Sequence, residues 1–432
     1  MRAPRGRRLA VEEAAQLIEP RDAVVCGFAA GQPVGLLEAL GARTDLEEVT
    51  LYTGLLIRPY ALLHNPGVRV MSGFFGPIER AVRDAGGPVE YLPADFHGLE
   101  RLALRLKPRV VLAATSPPDA EGWLSFGVTA GASYRPFLEA ARDPARLAIA
   151  EVNAKMPRVG GLADLGANRV HLSEIDAWVE HDEELIALPA AKAAPEDLAI
   201  ARLATELVAD GSTLQFGIGA IPDEIARRLA AGPRGDFGIH TEMIADGVMH
   251  LHQGGKVTNR KGLYDEVTVG TFALGSQALY AWMAATPAVR MLPVSAVNDP
   301  ALHRRLRRFV SINGALAIDL AGQVAADRIG GRQYSGVGGH EAFVTGASEA
   351  PGGTTVLCLR STATVGGRRL STIVPQFTPG TTITTPRHHV QYVVTEYGAI
   401  DLSALGDRTR VEALIELAHP DYRAELRATA HA

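Results

Sequence analysis

The stretch 213–229, TLQFGIGAIPDEIARRL, limits the possible folds of this chain more than any other. A short strand-like run enters a glycine turn, and a proline near a helix start leads into apolar residues at helical spacing. The same order recurs at 23–40, where an apolar strand runs through Gly27-Phe-Ala-Ala-Gly31-Gln-Pro33 into a second helical pattern. Strands that pass through glycines to a helix suit parallel pairing, since parallel neighbours need a crossover and cannot be joined by a tight hairpin. Further strand-like runs lie at 49–53, 68–71, 110–114, 147–152, 256–258, 355–359 and 391–394. Helical spacing occupies 78–85, 98–106, 134–141, 197–209 and 277–283, and a helix is expected from the turn VNDPAL through residue 308. The tail 408–428 reads as an amphipathic helix pair broken at Pro420. We expect an α/β fold of two similar domains with mostly parallel sheets, residues 1–190 and 191–432, divided in the alanine- and proline-rich run ALPAAKAAPE.

The chemistry centres on DFGIHTEMIADG, 236–247. Residues 237–240 read as a buried strand and the residues after them as the start of a helix, which puts Glu242 at the carboxyl end of a strand, where open α/β sheets keep their active sites. If that strand lies beside 213–216, the amides of Gly217-Ile218-Gly219 face the Glu242 carboxylate. An acid there either caps a neighbouring helix or serves as a nucleophile. Gly217 and Gly219, with Glu242 further on, also match part of a dinucleotide fingerprint, but Pro222 stands where its third glycine belongs. A helix N-terminus that binds an anion or an oxyanion is the less specific reading of the same turn.

Gly336-Val-Gly338-Gly339 is a second dense glycine site, suited to close backbone approach to a ligand. Asn298 and Asn313 are turn formers or amide donors. Glu396, in VVTEYGAIDL, ends a strand as Glu242 does, suggesting one carboxylate for covalent chemistry and one for orientation. His240, His250 and His252 match no common metal spacing, so no metal is expected. The run 303–308 and the pair His388 and His389 read as solvated surface.

Composition narrows the classes. Apolar residues make up 47% and charged residues 21%, as in an ordinary globular protein, and a net charge of -5 argues against a nucleic-acid partner. Five of the 43 basic residues are lysine, a skew running the whole length, so individual arginines are not read as phosphate ligands. Cys26 and Cys358 lie in apolar runs and read as buried thiols of a reducing compartment. No secretory signal or membrane span is evident. A cytoplasmic location is expected.

Ordered blocks along nearly the whole chain resemble the acetyl-CoA hydrolase/transferase family. They are SPPDAEGWLSFG (116–127), AEVNAKMPR (150–158), FGIGAIPDEI (216–225), GIHTEMIADG (238–247), VNDP (297–300), SINGALAIDLAGQV (311–324), GVGGHEAF (336–343), STIVP (371–375), VVTEYGAIDL (393–402) and AHPDYR (418–423). The resemblance implies a fold of the class I CoA-transferase type and a ping-pong transfer of CoA between an acyl-CoA and a small carboxylic acid. Substrates of the 4-hydroxybutyrate and acetate type are implied, with acyl-CoA hydrolysis as the alternative. It implies Glu242 as the catalytic glutamate, which passes through a glutamyl-CoA thioester, and the amides of Ile218 and Gly339 as oxyanion donors. Asn298 becomes the substrate-side asparagine and Glu396 a second active-site glutamate. Gly217, Ile218, Gly219, Ala220 and Ile221, with Gly336, Gly338 and Gly339, become the CoA-contacting backbone. Coenzyme A enters as substrate, with no resident cofactor, and a homodimer is expected. The chain departs from the family pattern at His340 and Ala342, which bears on the acyl pocket, and at Val365, where a lysine would contact CoA; Arg368 or Arg369 could substitute.

Overall fold

In the computed structural model, which describes residues 5–189 and 192–430, the chain forms two compact units. One comprises the chain up to Pro189 together with Val269–Val297; the other takes the chain from there to Thr268 and from Asn298 onward. The expected boundary at 190/191 lies outside the described residues, and the segment Val269–Val297 belongs to the first unit rather than the second. The segment is bonded into that unit through backbone and side chains. Gln277 Nε2 donates to Leu185 O at 2.8 Å, Tyr280 OH to Ile186 O at 2.8 Å, and Met291 N to Gly160 O at 3.0 Å. Such a return leaves no mark in composition.

The first unit is built on an eight-stranded sheet in the order Arg7–Arg8, Ala177–Glu180, Leu147–Val152, Val110–Thr115, Ala23–Val25, Val49–Thr53, Val68–Ser72, Val89–Tyr91. Every neighbouring pair is parallel. Val110–Thr115, near the middle, is buried at all six positions, as a strand covered on both faces must be. Val24, Leu51, Val70 and Leu112 join Leu36, Leu37 and Leu40 of the helix Val34–Gly41 in the core.

The second unit has a six-stranded sheet in the order Gly238–Ile239, Thr213–Phe216, Phe309–Gly314, Thr354–Cys358, Tyr392–Thr395, Gly398–Asp401. The first four pairings are parallel and the last is an antiparallel hairpin. The expected neighbours Thr213–Phe216 and Gly238–Ile239 do pair, with Thr213 opposite Gly238 and Leu214 opposite Ile239. The helix Asp407–Leu417 stops short of Pro420, which opens the helix Pro420–Ala430. Two expectations give way. Residues 256–258 contribute only a bridge from Val257 to Phe237, and the helix after VNDPAL is confined to Pro300–His303. No helix among the described residues is long and apolar enough to cross a membrane.

Candidate active site

Glu242 sits in a bend just past the carboxyl end of the strand Gly238–Ile239, as expected, but the helix expected directly after it does not begin there. The helix Asp246–Gln253 starts later, after the short strand Met243–Ile244. The cause is Thr241, fully buried and ahead of the acid. Its Oγ1 accepts from Phe216 N at 3.3 Å and lies within donating reach of Phe216 O (3.3 Å) and Met243 O (3.2 Å). The hydroxyl thus ties the Glu242 bend to the carboxyl end of Thr213–Phe216, and the carboxylate emerges half-buried.

Asn298 meets it there. Asn298 Nδ2 donates to Glu242 Oε2 at 2.5 Å, and the asparagine is fully buried with Oδ1 lacking a partner. The asparagine is positioned by the turn that follows it, in which Asp299 Oδ1 accepts from Ala301 N at 2.9 Å and opens the helix Pro300–His303. Gly339 closes the third side. A Cβ there would overlap Glu242 Oε2 and would lie 2.5 Å from Asn298 Nδ2 and 2.7 Å from Phe343 Cε2, so any larger residue would push these side chains from their places. The structure therefore brings together Glu242, Asn298 and Gly339, residues drawn from three sequence-distant segments.

The two glycine segments are fixed from below. Gly217 N donates to Ile312 O at 2.8 Å, and a buried network of Gln215, Ser311 and Asn313 lies underneath, with Gln215 Nε2 to Asn313 Oδ1 at 3.1 Å and Ser311 Oγ to Gln215 Oε1 at 2.9 Å. Asn313 thus serves this network rather than a turn, its Nδ2 donating to Gln215 Oε1 at 3.1 Å and to Ser311 Oγ at 2.8 Å. Above it Ile218 is 47% exposed, an uncommon position for an isoleucine in a unit with ample core. Gly219, at φ +127°, caps the helix Ala220–Ala231, whose first turn holds Ala220 and Ile221. The stretch Gly336 to Gly339 follows a loop anchored on buried Asp327, which accepts from Gln333 Nε2 (3.0 Å), Thr384 Oγ1 (2.6 Å) and Thr382 Oγ1 (3.1 Å). Gly338 takes φ +56°, and Gly339 opens the helix His340–Glu349. Burial pulls His340 down to about 4, so it stands neutral at the mouth of that helix, with Nε2 buried and unpartnered.

Glu396 is arranged differently from Glu242. It directly follows Thr395, the last residue of a strand parallel to Thr354–Cys358, as expected, and it opens the two-residue turn to the antiparallel edge strand Gly398–Asp401. Its carboxylate accepts from Ser361 N at 2.9 Å and Ser361 Oγ at 2.5 Å. Of the three histidines around Glu242, His252 shares a hydrogen with Thr268 Oγ1 at 2.7 Å, His250 is exposed, and His240 is fully buried among aromatic rings. His303, expected on the surface, is also fully buried there; Arg304, Arg305, Arg307 and Arg308 are exposed as expected. His389 departs from the surface reading too, with Nδ1 2.7 Å from Glu341 Oε1. The spacing His303, Leu306, Phe309 marks an inward face that the basic residues between them obscure.

A carboxylate at the end of parallel strands, gripped by an amide donor and pressed by a glycine turn, defines the class: an α/β enzyme with an acidic side chain at its centre. The model of the acetyl-CoA hydrolase/transferase N-terminal domain matches residues 6–189, and that of the C-terminal domain matches 275–430, so the chain belongs to the acetyl-CoA hydrolase/transferase family. Glu242 lies between the two matched segments. Relatives cover it. The chain is 37% identical over 427 residues to a 4-hydroxybutyrate coenzyme A transferase of Clostridium kluyveri, covering 96% of this chain and 95% of that one. It is 36% identical to a succinyl-CoA:cyclohexane-1-carboxylate CoA transferase of Geobacter metallireducens, covering 96% and 92%. Among solved structures, RipA of Yersinia pestis superposes with a TM-score of 0.89 at 36% identity, covering 98% of this chain and 97% of that one.

Proposed function

We propose that this protein moves coenzyme A from an acyl-CoA to a small carboxylic acid, with Glu242 as the covalent relay. The observation that carries the reading is the 2.5 Å contact from Asn298 Nδ2 to Glu242 Oε2. A Glu242 oxygen attacks the thioester carbonyl carbon, the C–S bond breaks, and CoA leaves as the thiolate, giving an acyl-glutamyl anhydride. The thiolate then attacks the glutamyl carbonyl carbon and expels the first carboxylate, leaving glutamyl-CoA. A second carboxylate reverses both steps and departs as its CoA ester while Glu242 regains its negative charge. No proton need be moved at any step.

Each attack puts charge on a carbonyl oxygen. When the thiolate attacks the glutamyl carbon, that oxygen is on Glu242 itself, and an amide donor already at 2.5 Å needs no reorganisation to stabilise it. The amides of Ile218 and Gly339 are the proposed donors for the substrate-side oxyanion. Backbone from Gly217 to Ile221 and from Gly336 to Gly339 is the proposed CoA contact. Glu396 is a proposed second active-site acid. Relatives named CoA transferases support transfer, and the names extend to 4-hydroxybutyrate among the acids. Relatives named acetyl-CoA hydrolase keep hydrolysis, in which water intercepts the Glu242 adduct, as the second reading. The same reading carries a cytoplasmic homodimer.

Two measurements test it. Glu242→Gln should lose at least about three orders of magnitude in turnover. Wild type mixed with an acyl-CoA should carry CoA on the peptide holding Glu242, and borohydride should reduce that thioester and inactivate the enzyme. Steady release of free CoA without any carboxylate would assign hydrolysis instead, and Glu242→Gln at wild-type rate would end the covalent reading.

A further inference from the structure

We propose that His303 is a positioning residue for this site, a buried ring that keys the segments of Asn298, Gly339 and Glu242 to one another. The inference rests on the Glu242 reading above. His303 is fully buried. Its backbone belongs to the Asn298 turn, for His303 N donates to Asp299 O at 3.2 Å. Its ring stacks on Phe343, with centroids 4.8 Å apart and planes 15° from parallel, and Phe343 is the ring that crowds Gly339. Its Nδ1 lies 3.3 Å from Ala342 O on the same helix. On a third side it meets His240 edge-on at 5.3 Å, two residues before Glu242.

The neighbouring helix is shaped around this ring. A Cβ at Gly346 would overlap His303 Nδ1 and press on its Cβ and Cγ, so helix His340–Glu349 approaches only because residue 346 lacks a side chain. Glycine inside a helix is less favourable than alanine, and here it makes room for the ring. Aromatic pairs in a packed interior have defined geometry and little freedom to slide. Without the ring, Phe343 can settle into the vacated space and the Gly339 turn and Asn298 can shift relative to Glu242. A displacement on the order of 1 Å is enough to cost about a hundredfold in rate.

The test uses the full chain with His303→Ala, His303→Phe, Gly346→Ala and the Gly346→Ala/His303→Ala pair. Single-turnover formation of the CoA adduct is followed by intact mass, and acyl-CoA affinity is measured separately. His303→Ala should slow adduct formation about 10- to 100-fold, with affinity within about twofold of wild type. His303→Phe, which keeps the stack, should stay within about threefold, the range of well-tolerated volume-conserving swaps. Gly346→Ala alone should slow the reaction by displacing the ring, and the double variant should be no slower than His303→Ala, since the added methyl then meets empty space. A wild-type adduct rate in His303→Ala overturns the inference, as does a loss that lies wholly in affinity or a Gly346→Ala effect that adds fully to His303→Ala. Should His303→Ala not fold, His303→Phe and Gly346→Ala decide: an unimpaired Gly346→Ala or a His303→Phe as slow as Gly346→Ala overturns it. Failure here is separable from failure of the mechanism, because Glu242→Gln stays inactive in the first case and retains activity in the second.

Discussion

Asn298 Nδ2 lies 2.5 Å from Glu242 Oε2 across 56 positions of sequence. A buried amide whose own oxygen lacks a partner gains little stability from this contact, so its value lies in the direction it imposes on the carboxylate. Asn298→Ala should lower kcat about 10²- to 10³-fold, the usual cost of one oxyanion donor, with a smaller change in KM. Asn298→Asp keeps the shape but places a second carboxyl against the first, and two such groups resist ionising together. Its activity should fall further below wild type at pH 8 than at pH 5, and a pH series on the two enzymes checks this.

Gly339 offers a steric test free of backbone strain. Its φ of -93° suits any residue, so Gly339→Ala acts through the methyl group, which would overlap Glu242 Oε2 and crowd Asn298 Nδ2. The variant should melt within a few degrees of wild type yet lose about a hundredfold or more in kcat. Gly219→Ala is the converse: its Cβ meets nothing within 4 Å, but φ +127° suits glycine. That variant should move the turn itself and weaken acyl-CoA binding, seen as a rise in KM.

Glu396 and Glu242 look alike in sequence but occupy unlike positions. With its carboxylate held by Ser361 N and Oγ in an edge hairpin, Glu396 has a fixed partner to lose. Glu396→Gln should still form the CoA adduct on Glu242, with turnover reduced by roughly tenfold or less, as for an orienting group rather than the nucleophile. Loss of the adduct in Glu396→Gln would show that this acid takes part in the covalent step.

What could be read from the sequence divides along physical lines. Strands such as Val110–Thr115 and Leu147–Val152 were legible because a strand covered on both faces is a short apolar run, and the terminal helices because Pro420 forces a break. The sequence left the pairing of Thr213–Phe216 with Gly238–Ile239 as a condition, which the parallel register of the two strands meets. The third member of the site was recognised by its glycines, but what presses on it was not. Thr241, Phe343 and His303 act through contacts between distant segments, and period and composition carry no record of these. His303 was hidden further by the arginines around it, since a charge-rich run reads as solvent-facing even when one residue of it turns inward. The segment Val269–Val297 joins the first unit by hydrogen bonds that no local signal announces.

Lys261 is another such residue, and it gives the protein a pH dependence. It is fully buried, its Nζ donates to Tyr264 O and to Val267 O (2.8 Å), and Asp265 Oδ1 accepts from its backbone N at 2.8 Å. The loop it gathers holds Asn259, Tyr264 and Glu266 at positive φ and carries Tyr264 parallel to the His240 ring at 6.2 Å. Burial pulls the ammonium down from 10.5 to about 7, only partly opposed by Asp265. Between those values the unfolded chain holds a proton that the folded chain has released, so stability rises with pH from about 7 toward 10.5; below 7 both states are protonated and the folded state bears the full cost of a buried charge. The slope is on the order of 1 kcal/mol per pH unit, or about 2–4 °C in Tm for a unit of this size. Lys261→Met removes the titrating group along with its two hydrogen bonds, so its stability should carry no such rise with pH. The wild-type minus Lys261→Met difference in Tm should therefore rise from pH 7 to pH 9.5. A difference that stays level across that range would mean that Lys261 remains charged in the fold and that its two carbonyl partners outweigh its burial.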